Sequence, residues 1–219
     1  MKSKKKIMKG MYDYMIPTII EKTRDGERAY DIYSRLLKDR IIFINDEIDG
    51  PLTINVIAQL LFLEKDNPEK DIYIYISSPG GSIDDGLAIF DVMNHIKPNI
   101  VTVSVGMVAS MATFLLASGT KGKRYILPNS RVMIHQAGVG NIGGKAADVQ
   151  IYAKNLLKIN EQMILYLMQF TGQKRAQIEK DIDRDHWMNA QEALDYGLVD
   201  GILEYTKFSG KSAWKPIMS

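Results

Sequence analysis

Val105-Gly-Met-Val-Ala-Ser110-Met-Ala-Thr-Phe-Leu-Leu116 is the stretch whose reading decides the fold. An alternating strand, Val101-Thr-Val-Ser-Val105, leads into it; Gly106 breaks the alternation, and the chain resumes as an apolar helix with Ser110 at its first turn. Unpaired helix N–H groups and the positive end of the helix dipole converge at such a turn. A nucleophilic oxygen and a developing oxyanion can both be served there. A plain N-cap serine fits the same pattern.

The flanks add to the first of these readings. Upstream, Ile72-Tyr-Ile-Tyr-Ile-Ser-Ser-Pro-Gly-Gly81 is a β-rich run ending in paired glycines, which let the backbone turn sharply and bring an N–H close to a ligand. Downstream, Ser130-Arg-Val-Met-Ile-His135-Gln136 reads as a strand ending in a histidine. A serine hydroxyl needs a base, and the base needs a group that fixes its tautomer. Of the 3 histidines, His95 falls late in a helix near Pro98, and His186 lies in a link beside Asp185. His135, just before the glycine-rich run Ala137-Gly-Val-Gly140, is the best placed to face a cleft. Spacing alone does not select the third group among 26 acidic residues.

The 219 residues fit one domain of ordinary globular composition, 46% hydrophobic and 25% charged. A net charge of +2 with no basic stripe makes no case for nucleic acid. Without cysteine there is no disulfide, thiolate metal site or cysteine nucleophile, and 3 scattered histidines do not suggest a metal site. No run reaches the roughly 18 apolar residues of a membrane span, and Met1-Lys-Ser-Lys-Lys-Lys6 lacks an apolar signal core. The expectation is a soluble cytoplasmic protein with no membrane partner and no cofactor. Residues 1–15, rich in lysine, read as a solvated leader and 205–219 as a polar tail.

Between these ends strands and helices alternate, which predicts an α/β fold of stacked strand–helix units. Glu27 to Lys38 reads as a helix, then Arg40-Ile-Ile-Phe-Ile44 as a strand. Asp49-Gly-Pro51 opens a helix with proline at its first position and Ile57, Leu60, Leu61 and Phe62 as its buried face. Leu87, Phe90, Met93 and Ile96 mark another helix that ends before Pro98. Lys145 to Phe170 reads as one long helix, with Val149, Tyr152, Leu156, Met163 and Leu167 in a stripe and Gly172 closing it. At about 1.5 Å per residue it outruns what one domain of this size needs, so part of its apolar face should meet another subunit. Lys174 to Asp183 reads as a helix, Asp185 to Met188 as an extended link, and Asn189-Ala-Gln-Glu192 as the capping box of a helix closing at Gly197. Leu198 to Leu203 returns as a strand.

Ser78-Pro-Gly-Gly81, the Gly-x-x-Ala-Ser-Met motif of residues 106–111 and Pro128-Asn-Ser-Arg-Val-Met-Ile-His-Gln136 resemble the Clp protease proteolytic subunits (ClpP), in order and over about Ile16 to Leu203. The resemblance implies a ClpP/crotonase-like fold over residues 16–204, in which the long helix is the handle joining two stacked seven-membered rings. It implies a serine endopeptidase with Ser110, His135 and Asp185 as its triad and the backbone N–H groups of Gly81 and Met111 as its oxyanion hole. Peptide would lie along Gly80, Gln136, Ala137 and Gly138, within a wall running to Gly144. Tyr73, Tyr75, Tyr125 and Leu203 would line the docking pocket of an AAA+ Clp unfoldase, and Arg184 would bridge subunits. Leader cleavage would fall near Tyr14 or Met15, and Ile16 to Arg24 would form the axial gate. The implied partners are unfolded proteins, the unfoldase, and further copies or paralogues in a homo- or hetero-tetradecamer. ATP hydrolysis would belong to the unfoldase, since this chain has no Gly-x-x-x-x-Gly-Lys-[Ser/Thr] loop.

Two positions depart from the family pattern. Ala137 stands where proline is usual, with one residue more before the long helix, and His95 stands where an aromatic residue commonly lines the docking pocket. The first departure keeps open a subunit active only in a mixed ring. The shared fold keeps open a crotonase-type acyl-CoA enzyme.

Overall fold

The computed structural model describes residues 16–23, 26–138 and 144–205. The leader over residues 1–15, most of the tail, and the wall at 139–143 therefore lie outside the described residues. The chain divides into two units, residues up to Asp39 and residues from Arg40 onward.

In the first unit, β1 (Thr18–Thr23) and β2 (Gly26–Asp31) pair antiparallel from Thr18 opposite Asp31 to Thr23 opposite Gly26. The helix expected over 27–38 is thus only α1 (Ile32–Lys38), and its first turns are strand instead. Asp31 sets the boundary: extended itself, it caps α1 by accepting from the Ser34 N–H at 2.9 Å. Arg35 and Lys38 of α1 reach back to Glu21 of β1.

The second unit is built on a sheet whose main path runs β3 (Ile41–Ile44), β4 (Ile72–Ser78), β5 (Ile100–Ala109), β6 (Arg124–Ile126) and β9 (Gly201–Ile202), all parallel. Between its strands pack α2 (Gly50–Asp66), α3 (Ile83–His95) and α4 (Met111–Ala117). This is the α/β architecture of strand–helix units that the alternation predicts. One face of the sheet is sealed: Ile42, Ile44, Ile72, Ile74 and Ile76 have no exposed surface. Each such aliphatic side chain contributes about 1.5–3 kcal/mol by burial.

Gly106 does not end its strand. β5 runs on to Ala109, and the irregularity is a bulge: Ile76 pairs with Ser104, but Ser78 pairs with Val108. Gly106 takes φ +67° at that bulge, where a side chain would be strained. The bulge also splits the partners of β5. Its first half pairs with β6, and its end, Met107 to Ala109, pairs with β7 (Arg131–Ile134). β7 in turn pairs antiparallel with β8 (His186–Asn189), so the expected link after Asp185 is a strand.

The buried face of α2 differs from the one expected. Thr53, Val56, Leu60 and Leu63 are buried, whereas Leu61 and Phe62 are 46% and 59% exposed. The helix carries apolar residues on most of its circumference, so periodicity did not single out the inward stripe. The long helix α5 (Ala146–Thr171) matches its expected span, and Gly172 closes it in the left-handed conformation. Only Ile164 and Leu167 of α5 are buried; Val149 and Tyr152 of the expected stripe, with Ile151 and Leu157 beside them, stand exposed. α6 (Arg175–Asp181) and α7 (Ala190–Tyr196) complete the unit, α7 opening with the expected Asn189–Glu192 capping box. The strand expected over 198–203 shrinks to β9, because the Leu198 N–H closes α7 by donating to the Ala193 carbonyl and does not join the ladder.

Candidate active site

Ser110 sits on the corner between β5 and α4 with φ +55° and ψ −125°, a positive-φ conformation that a non-glycine residue holds only under constraint. Such strain costs on the order of 1–3 kcal/mol and persists where surroundings over-determine it. The surroundings here are two short bonds to β7. The Ser110 N–H donates to the Met133 carbonyl at 2.9 Å, and the buried Thr113 hydroxyl lies 2.8 Å from that carbonyl and 2.9 Å from that of Val108. The corner therefore turns the Ser110 hydroxyl outward while pinning its backbone to the strand that carries His135.

His135 follows β7 directly. Its Nε2 lies 2.7 Å from Ser110 Oγ, and its Nδ1 lies 3.1 Å from Asp185 Oδ1. The sheet register explains how residues 50 apart in the chain meet: Ile134 pairs with His186, so the residue after one strand faces the residue before the other. The contacts are satisfied by the tautomer with the proton on Nδ1, donated to the carboxylate, leaving the Nε2 lone pair to accept from the hydroxyl. The site stays in contact with solvent, with the imidazole 35% and the carboxylate 61% exposed.

The paired glycines close against this corner. Gly80 takes φ +94°, and a Cβ there would lie 2.7 Å from both Ala109 O and Ser110 Cβ. At Gly81 a Cβ would lie 2.2 Å from Ile48 O. Ile48 N–H donates to Gly80 O and Ser82 N–H to Ile48 O, each at 2.8 Å, so a loop strand clamps the pair in place. Among the described residues, neither the Gly81 nor the Met111 N–H donates to another group. Donors left free beside a half-buried hydroxyl can receive an oxyanion.

A cleft of about 350 Å³ opens beside the hydroxyl, lined by Gly81, Met111, Phe114, His135, Met163 and Leu167 among others. Its walls join the Ser110 corner to α5. Gln136, Ala137 and Gly138 form one side of it, and Asn160 of α5 stands behind them. Asn160 is the residue that sequence reasoning passed over. Its Oδ1 accepts from the Ala137 N–H at 3.1 Å, a donor that the usual proline would not carry. The signal was present: Asn160 interrupts the stripe of Leu156, Met163 and Leu167 at helical spacing.

The other two histidines stay away from this corner. His95 is exposed at the end of α3, and the ring of His186 faces Tyr196 at 6.1 Å. Burial and a hydrogen bond to Asp181 raise the Tyr196 phenol above its usual range. Arg184 is 91% exposed, 3.7 Å from Asp183. On the other face of the sheet, Phe43, Tyr75, Val103, Tyr125 and Gly201 fall in one register row, with Tyr73 one pleat away. Tyr73 and Tyr75 are half-buried, and burial raises both phenols. Leu203 is half-buried after β9.

A family model for Clp protease matches residues 24–206 of the chain. The chain belongs to the Clp protease family. The match spans most of the sequence, and includes Gly81, Ser110, His135 and Asp185. Membership makes the protein a Clp-type serine peptidase by family, of a kind that works as a ring-type oligomer with a Clp unfoldase. Among the described residues, no helix is long and apolar enough to cross a membrane.

Proposed function

We propose that this Clp family member hydrolyses peptide bonds of unfolded proteins through an acyl-enzyme on Ser110. The observation that carries the reading is the continuous contact from Asp185 Oδ1 through the His135 ring to Ser110 Oγ, at 3.1 and 2.7 Å. In this reading Ser110 Oγ attacks the scissile carbonyl as its proton passes to His135 Nε2. Asp185 holds the imidazole in the accepting tautomer and stabilises the imidazolium that forms. The tetrahedral oxyanion takes the free N–H groups of Gly81 and Met111. His135 then returns the proton to the leaving amine, and water repeats the sequence to release the acid.

Peptide binds by strand addition along Gly80 and the segment Gln136, Ala137, Gly138, held by main-chain bonds that read little sequence. The exposed apolar side of α5 supports its role as a handle between two stacked heptameric rings, with Arg184 at a subunit contact. The aromatic row of Tyr75 and Tyr125, with Tyr73 and Leu203, is the proposed seat of an AAA+ unfoldase loop, and the exposed Leu61 and Phe62 extend the apolar surface of the unit. The unfoldase hydrolyses the ATP, and the assembly works in the cytoplasm. The test is hydrolysis of a fluorogenic model peptide by the purified protein. Ser110→Ala should lower the rate by roughly a thousand-fold or more; a variant at the full wild-type rate would end the proposal.

A further inference from the structure

The segment after His135 is tied on two sides. Gln136 donates its N–H to the Ile182 carbonyl at 2.8 Å and its side-chain amide to the Asp183 carbonyl at 3.4 Å. These ties hold it to the chain just ahead of Asp185. Ala137, half-buried in the cleft wall, has its N–H turned the other way, to Asn160 Oδ1 of α5 at 3.1 Å. A main-chain donor taken partly out of water needs a partner, and here a single side chain supplies it. Asn160 holds a position in α5 where the flanking members of the stripe, Leu156, Met163 and Leu167, are apolar. An apolar residue would pack there at least as well, so packing alone gives no reason for the amide.

We infer that Asn160 is a positioning residue for the peptide: by accepting from Ala137 it fixes the wall at 136–138 against which substrate is laid. The inference rests on the peptidase reading above and deepens it. Asn160 touches no reacting atom; it acts through Ala137. Two consequences follow from the bonding. With the donors of Gln136 and Ala137 already committed, the first main-chain N–H of the wall free for a peptide, among the described residues, is that of Gly138. The spacing between that N–H and Ser110 then depends on α5, the same helix whose outer face lies exposed, so α5 sets the width of the cleft.

The experiment compares two probes on the full-length protein. A blocked peptide with a fluorogenic amine leaving group needs the wall. A small alkyl fluorophosphonate needs only an activated Ser110. Asn160→Leu, which keeps the branched shape and deletes the acceptor, should raise the peptide KM by about ten-fold, the usual scale for leaving one donor unpaired. Its fluorophosphonate labelling rate should stay within about two-fold of wild type, as expected when the nucleophile and base are untouched. Asn160→Asp keeps an acceptor oxygen and should restore the KM on a neutral peptide. Ala137→Pro deletes the donor, so adding Asn160→Leu to it should change the KM no further.

An unchanged KM in Asn160→Leu on a protein that labels normally overturns the inference. So does an Asp variant as impaired as the Leu variant, or a double variant whose effects simply add. Loss of folding or assembly on Asn160→Leu in both backgrounds would make Asn160 a structural residue of α5, which also overturns it. A wild type that takes no label and cleaves no peptide brings down the peptidase reading itself, a result distinct from all of these.

Discussion

Gly80 and Ser110 are packed so closely that no side chain fits between them: a Cβ on Gly80 would lie 2.7 Å from the Cβ of Ser110 and equally near the Ala109 carbonyl. Neither of those neighbours is the free end of a flexible chain, and Gly80 holds φ +94°, so relief would have to come from backbone movement at the corner that aims the hydroxyl. Gly80→Ala should therefore lower peptide turnover by about a hundred-fold, the scale of a misplacement of roughly 1 Å at a reacting atom. Steady-state kinetics on the folded variant checks this. A turnover within a factor of two of wild type would mean that the Gly80–Ser110 contact does not govern the hydroxyl.

Far from the cleft, Arg124 and Asp200 form the most buried ion pair of the described residues, at 2.6 Å, with their side chains 1% and 14% exposed. Burial pushes the Asp200 carboxyl up, but the Arg124 guanidinium and the N–H groups of Arg124 and Gly122 outweigh it and hold the carboxyl below its usual range. A depressed carboxylate adds stability above its unfolded pKa of about 4, and that stability is lost as pH falls through the folded value. Asp200→Asn should cost about 3 kcal/mol at neutral pH, because it leaves a buried guanidinium without its counter-charge. The difference from wild type should shrink as the pH drops below 4, where wild type loses the same interaction. Denaturant unfolding at several pH values gives the answer, and a gap that stays constant with pH would refute the linkage.

α5 exposes Ile151, Tyr152 and Leu157 at 66%, 59% and 70%. Their burial inside their own unit is negligible, so Leu157→Glu should leave thermal stability of the isolated subunit within about 0.5 kcal/mol, as for ordinary surface changes. If this face joins rings, the same change should shift the protein to smaller species in sedimentation velocity. An unaltered sedimentation profile would remove this part of α5 from the interface.

Much of the fold could be read from local chemistry. Pro51 at the first position of α2, Gly172 and Gly197 at helix ends, and the Asn189–Glu192 capping box each act within a few residues, and each is found where its chemistry predicts. The misreadings came from non-local terms. Gly26 to Asp31 is strand because β1 pairs with it, a partner that no helical periodicity reveals. Leu61 and Phe62 read as core because α2 is apolar on most of its circumference, and the fold turns Val56 and Leu63 inward instead. At the site, the sequence pattern marked Ser110 and favoured His135, and the family resemblance supplied Asp185. What brings the carboxylate to the ring is the β7–β8 register, in which Ile134 faces His186. Asn160 went unread for the same kind of reason. Its partner is a backbone N–H on another element, and only the folded chain brings the two together.

The most direct test of the account is the intact mass of the purified protein after treatment with a serine-reactive fluorophosphonate. The account predicts one adduct per chain, absent in Ser110→Ala and lost or greatly slowed in His135→Ala, because among the described residues the Ser110 hydroxyl, 2.7 Å from His135 Nε2, is the serine activated by a base. An adduct that persists in Ser110→Ala, or a folded and assembled wild type that takes none, would contradict it.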